Sequence, residues 1–158
     1  MRKSFILITA ALVLSACATG GRTAVERSRQ KAAEVAEAVE TRHFTVSVRT
    51  AYPTGGAAVP VAGDYSLELR GDSVVSYLPY FGRGYTLPYG GGKGLNFTAE
   101  ATGYAVGRGG KDMSRIEFDV KNDEDFYKFT VELFDNGQAS IYVIPQQRTR
   151  IAYSGEIE

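Results

Sequence analysis

From His43 to the end of the chain, apolar side chains return at every second position, in short runs separated by turn-forming residues. Phe44, Val46 and Val48 fall on one side of the first run. A β-strand sends successive side chains to opposite faces, so this period predicts strands with one buried and one solvated face. The runs are His43–Arg49, Asp64–Arg70, Ser73–Tyr77, Leu95–Ala99, Thr102–Val106, Ser114–Lys121, Phe126–Phe134, Gln138–Ile144 and Arg148–Ile157. Gly71-Asp72, Gly107–Lys111, Asn122–Asp125 and Asp135-Asn136-Gly137 supply tight connections, the last being a strong hairpin signal because Asn and Gly accept positive φ. Only Tyr52–Ala62 and Tyr77–Gly92 are longer links. Short connections between consecutive strands imply an antiparallel meander. The expected fold is mainly β: about eight or nine strands in a strongly curved sheet or barrel-like domain.

Before the strands the period is helical. Thr23-Ala24-Val25-Glu26 matches a capping box, in which the Thr hydroxyl and Glu carboxylate satisfy exposed N–H groups reciprocally. The segment to about Thr41 is rich in Ala, Glu, Lys, Arg and Gln, with Val25, Ala32, Val35, Ala36 and Val39 on one narrow stripe. This predicts one N-terminal helix packed on the sheet. Residues 23–158 suffice for a single domain and not for two.

The first residues carry a different message. Arg2 and Lys3 precede an apolar run from Phe5 to Leu14. A membrane-spanning helix needs roughly 20 apolar residues, so this shorter run reads as a signal peptide over residues 1–16. It ends in Leu14-Ser15-Ala16-Cys17, which resembles the lipobox of bacterial lipoproteins. The resemblance implies lipidation of Cys17, and residues 17–22 then form a tether reaching roughly 20 Å. Cys17 is the sole cysteine, so no disulfide forms within the chain. No acidic cluster follows it, and with Ala18 in second place the expected location is the outer membrane, facing the periplasm. Removal of Arg2 and Lys3 leaves 16 basic residues against 18 acidic ones, without a basic block. Nucleic acid is therefore not an expected partner.

Little in the chain is equipped for catalysis. His43 is the one histidine, no Gly-x-Ser-x-Gly elbow accompanies it, and it reads as a cation at the helix C-terminus. One His and a lipidated Cys do not make a zinc site. Asp123, Glu124 and Asp125 share one turn, with Asp112 and Asp119 near in sequence, and read as a solvated cluster. They lack the residue order of a calcium loop. Gly82-Arg83-Gly84 and Gly90–Gly94 do not have phosphate-loop spacing. No catalytic residue, metal or cofactor is assigned.

Binding has a better candidate in Tyr77–Gly92, which gathers Tyr77, Tyr80, Phe81, Tyr85 and Tyr89 around Arg83, with two Leu-Pro steps and five glycines. Tyrosine joins a large apolar ring to a polar tip and suits sugar faces and partner surfaces. Arginine pairs with carboxylates or stacks on rings. Two compatible readings stand: a self-packed plug closing one end of the sheet, or a site for a small ligand or an envelope protein. The leading expectation is a lipid-anchored, non-enzymatic binding module. The alternatives are a structural or assembly factor acting through the helix, and a carboxylate-dependent hydrolase of envelope glycan.

Lipobox, short helix, Phe-containing first strand, Tyr77-Leu-Pro-Tyr-Phe-Gly-Arg83 and the closing Arg150-Ile-Ala-Tyr-Ser-Gly155 together resemble the domain of unknown function 4251 family, lipoproteins of Bacteroidetes. The resemblance spans nearly all of the chain after the signal peptide. It implies an exported, lipid-anchored, β-rich protein and brings no activity or substrate.

Overall fold

Alternating strands need a partner for each edge, and in this chain the first and last strands supply it to each other. The computed structural model describes residues 23–85 and 92–158; the signal peptide, Cys17, the tether and Tyr89 lie outside them. One helix, α1 (Ala24–Thr41), precedes β1 (His43–Pro53), β2 (Val59–Pro60), β3 (Ser66–Arg70), β4 (Ser73–Leu78), β5 (Leu95–Gly110), β6 (Met113–Lys121), β7 (Phe126–Phe134), β8 (Gln138–Pro145) and β9 (Ile151–Ile157). The sheet order is β2-β1-β3-β4-β5-β6-β7-β8-β9, and β1 also pairs with β9. Eight antiparallel strands thus close into a barrel, with β2 as an extra strand on β1. Closure leaves the barrel no open edge for unwanted pairing.

β1 does this double duty by division of its length. His43–Ser47 pairs with β3, whereas Val46–Pro53 pairs with β9, with a register shift between Val48 and Thr50. At the crossing, Gly155 lies so close to β1 that an added Cβ would overlap the Ser47 carbonyl oxygen. Glycine here serves close backbone approach.

The inward faces form one core. Val46, Leu67, Leu69, Ile116, Val131, Leu133 and Ile141 are fully buried. Phe118 stacks on Phe129 at 5.2 Å between ring centroids, and Phe97 on Tyr127 at 4.9 Å. The barrel is filled by side chains. Burial of each such residue contributes roughly 1.5–3 kcal/mol.

At one end lie the β3–β4, β5–β6 and β7–β8 turns, and α1 packs there. Its capping box forms as expected, Glu26 N donating to Thr23 Oγ1 and Thr23 N to Glu26 Oε2. Of the apolar stripe, Val35 and Val39 are buried while Val25 is 59 % exposed. The C-terminal cation is Arg42, not His43: Arg42 takes a left-handed conformation, bonds Asp72 at 2.8 Å and lies over the Tyr104 ring.

Several strand boundaries differ from the sequence expectation: β2 lies within the expected Tyr52–Ala62 link, and most of the expected Gly107–Lys111 turn is strand, because β5 runs on to Gly110 along β6. Leu95–Ala99 and Thr102–Val106 are one long strand, β5, because Gly103 absorbs a register shift between Thr102 and Ala105 without turning the chain. β1 continues through Ala51 and Tyr52 to Pro53, since β9 offers it a ladder. Arg148 falls before β9 rather than within it.

Candidate functional site

The end of the barrel opposite α1 collects the long links. The segment after β4, the β6–β7 turn and the β8–β9 link meet there, and their polar groups bind one another. Asn122 Oδ1 accepts from Glu124 N and Asp125 N, which shapes the β6–β7 turn. That turn aims Asp125 inward. Its Oδ1 accepts from Phe126 N at 2.8 Å and from Gln146 N and Gln147 N at 3.0 Å each. One carboxylate thereby gathers three N–H groups at the ends of β7 and β8, of which Gln146 N also donates to the Phe126 carbonyl.

Arg148 is the centre of the cluster. It is 3 % exposed, its Nη2 donates to Glu124 Oε2, and its Nε lies 3.6 Å from Asp125 Oδ2. Its guanidinium also faces the Tyr80 ring, 5.8 Å from the centroid. Glu124 in turn accepts from Lys93 N at 2.8 Å, and Lys93 Nζ bonds Asp123. Asp123 is exposed, and the Lys93 ammonium holds its carboxyl below the usual range. The solvated-cluster expectation is therefore right for Asp123 and wrong for Glu124 and Asp125, which the link bearing Arg148 covers. A buried ion pair is expensive to assemble and more expensive to break.

The aromatic stretch divides between the two readings. Tyr80 belongs to the plug: its hydroxyl donates to the Thr149 carbonyl at 2.8 Å. The backbone beside it is tied down as well, Thr149 N donating to Arg83 O and Tyr85 N to Gln147 O. Tyr153 donates from below to the Pro79 carbonyl at 2.8 Å. Its burial pushes the phenol well above the usual tyrosine range. Tyr77 is 49 % exposed and stacks on Tyr65 outside the barrel.

Phe81 and Tyr85 do not pack inward; they are 42 % and 69 % exposed. Phe81 and Arg83 line a cleft of about 710 Å³ against Pro53–Ala57, whereas Tyr77 and Tyr80 line a separate one of about 370 Å³ with Lys93 and Asn96. The six candidate residues therefore do not converge on one pocket. Tyr80 is structural, Phe81, Arg83 and Tyr85 present an outward surface, Tyr77 lies on the other flank, and Tyr89 is outside the described residues.

Arg148 was missed by sequence reasoning because it reads as the polar start of a strand. The sequence held only a partial signal, an acidic turn and an arginine in a link reaching the same barrel end, since carboxylates call for a counter-charge only once they are buried.

A model of the family described as "Domain of unknown function (DUF4251)" matches residues 26–157 of the chain. No curated protein matches it. The fold is similar to that in a crystal structure, at 1.95 Å resolution, of a DUF4251 family protein from Bacteroides eggerthii DSM 20697. The TM-score is 0.61 at 10 % identity, over 82 % of this chain and 87 % of that one.

Proposed function

The chain belongs to the DUF4251 family, and on that premise we propose that it is an exported lipoprotein that binds an envelope partner without catalysing a reaction. The observation that carries the reading is the surface of Phe81, Arg83 and Tyr85, held outward by a backbone stapled to the β8–β9 link. Aromatic rings on a preorganised loop lose little conformational freedom on binding and dominate contact energy where they occur.

Placement supports it. A lipid on Cys17 reaches the domain through α1, and α1 packs on the end of the barrel opposite this loop. The aromatic surface would then face away from the anchoring membrane. Support for a non-enzymatic role is that Glu124 and Asp125, the best acidic pair in the chain, are engaged by Arg148 and by backbone N–H groups.

The reading is tested by combining Phe81→Ala with Tyr85→Ala and probing envelope extracts by cross-linking. Loss of the chain's specific cross-links, with thermal unfolding unchanged, is the expected result. Unchanged cross-links in the stable double variant would refute the site. Separately, Cys17→Ser should release the protein from the membrane fraction, and continued membrane association would refute the anchor.

A further inference from the structure

The closed wall of the barrel has no free edge, but β5 runs past that wall. On one side its residues 95–100 pair with β4, and Ala101 N donates to the Asp72 carbonyl at 2.7 Å. On its other side β6 pairs with it as far as Gly110. Residues 102–110 therefore have one side with no strand partner among the described residues. All of them except Tyr104 are exposed. Residues 105–108 run regularly between two register shifts, and no proline interrupts the segment. Such an edge presents a row of unpaired N–H and C=O groups, which is a template for a further strand.

A groove adjoins this edge. α1 packs on β1 and β7 and leaves a space beside β5. Ala36 and Val39 line a groove of about 480 Å³ there with Tyr104 and Val106. The Tyr104 hydroxyl donates to the Val39 carbonyl at 3.1 Å, and Val106 is 50 % exposed. In the ladder Val106 and Arg108 stand opposite Ile116 and Ser114, so they share one face, and full burial of Ile116 marks it as the inner face. A strand added to β5 continues that face and sends every second side chain toward the groove. Charge is uneven along it. Glu40 lines the groove toward its Tyr104 end, where Arg42 covers the ring. Roughly 13 Å further along the strand stands Arg108, with Lys111 in the turn beyond. Both are exposed, and among the described residues neither has an ion pair.

We propose that residues 102–110 take up an extended peptide segment of another protein as an added strand, with acidic residues at its N-terminal end and apolar side chains at alternate positions. Main-chain bonds to β5 supply affinity, and the groove beside α1 supplies preference for the side chains that enter it. The added strand runs antiparallel to β5, as every pair in this sheet does. Its N-terminal end then lies beside Arg108 and Lys111, and its other end beside Glu40, which disfavours an acid there. A second copy is a poorer occupant. Edge-to-edge pairing of two barrels buries little beyond this short strip, whereas a stable interface needs about 800 Å² per partner. The edge lies at the α1 end of the barrel, opposite the Phe81–Tyr85 surface, and neither reading depends on the other.

The test is fluorescence polarisation of the full mature chain with a short labelled peptide of alternating valine and threonine that begins with two glutamates. Two companions serve as controls, one with lysines in place of the glutamates and one N-methylated throughout its valine–threonine part. The expected result is saturable binding of the acidic peptide, about tenfold tighter than the lysine peptide, and none of the N-methylated one. Amide exchange should show new protection around residues 102–110. Arg108→Glu should weaken the acidic peptide about tenfold and favour the lysine peptide instead. Val106→Asp, which sets a charge at the groove, should weaken both without lowering the melting temperature, and should it fail to fold, the Arg108→Glu result decides. The Phe81→Ala/Tyr85→Ala double variant should bind normally, which separates failure here from failure of the loop. The proposal is overturned by no saturable binding of the acidic peptide at millimolar concentration, by equal binding of the N-methylated peptide, or by undiminished binding in Arg108→Glu. A dimer of the chain alone, with residues 102–110 already protected, would give the edge to a second copy and overturn it too.

Discussion

Arg148 shows how one side chain organises a barrel end. It neutralises Glu124 and Asp125 in a place where water is excluded, and its guanidinium faces the Tyr80 ring of the plug. Removing it leaves buried carboxylates without a counter-charge, a defect that typically costs 3–5 kcal/mol. Arg148→Met is therefore expected to lower stability by about that amount in denaturant unfolding, although it keeps the length and apolar stem of the side chain. Asp123→Asn, on the exposed member of the same turn, should leave the unfolding midpoint essentially unchanged, because a solvated ion pair contributes little. Equal effects of the two substitutions would show that burial does not set the role of these charges. Sequence placed the three carboxylates in one turn but not their exposure. Whether a charge is solvated depends on what covers it, and the cover here comes from the β8–β9 link.

Among the elements, β1 is the most demanding. It must pair with β3 at its start and with β9 along the rest, and the strand is kept continuous by a register shift after Val48. Gly155 makes the crossing feasible because the β1 backbone occupies the space of any side chain there. Gly155→Ala forces the two strands apart where the barrel closes. Expected are a loss of several kcal/mol, in line with strained close-contact sites, and early amide exchange confined to β1 and β9. Exchange protection that stays uniform across the sheet would argue against closure through this contact. Period-two alternation predicted the eight barrel strands near their observed places but not β2, which lies in the expected Tyr52–Ala62 link, and the capping box predicted the start of α1. The ends were less legible: the extra length of β1 and the fusion of two expected strands into β5 depend on partners elsewhere in the sheet.

For the molecule as a whole, buried phenols tie stability to alkaline pH. Tyr153 and Tyr127 near the plugged end are both fully or almost fully buried, and Tyr104 lies partly buried under α1. Burial raises all three above the ordinary tyrosine range, most strongly for Tyr153. In the unfolded chain these groups ionise near pH 10, as free tyrosines do. The folded chain retains its protons beyond that point, so stability is complete below about pH 10 and declines as pH rises toward the folded values. Each fully buried phenol contributes up to about 1.4 kcal/mol per pH unit to that decline. Tyr153→Phe should cost about 1 kcal/mol at neutral pH through the lost bond to Pro79, yet flatten the alkaline loss. A melting profile above pH 10 no shallower than that of the unaltered chain would contradict this.

Local physics in the chain was enough to determine a β-meander with one capped helix, since alternation, turn chemistry and capping act between near neighbours. Closure, the burial of Arg148 and the division of the aromatic stretch between plug and surface were decided only by the tertiary structure. So was the position of Tyr52 and Tyr142, distant in sequence, on either side of Ala152, because β9 lies between β1 and β8. Each of these arises from contacts between distant segments, and no spacing along the chain encodes what will stand beside a residue across a barrel wall.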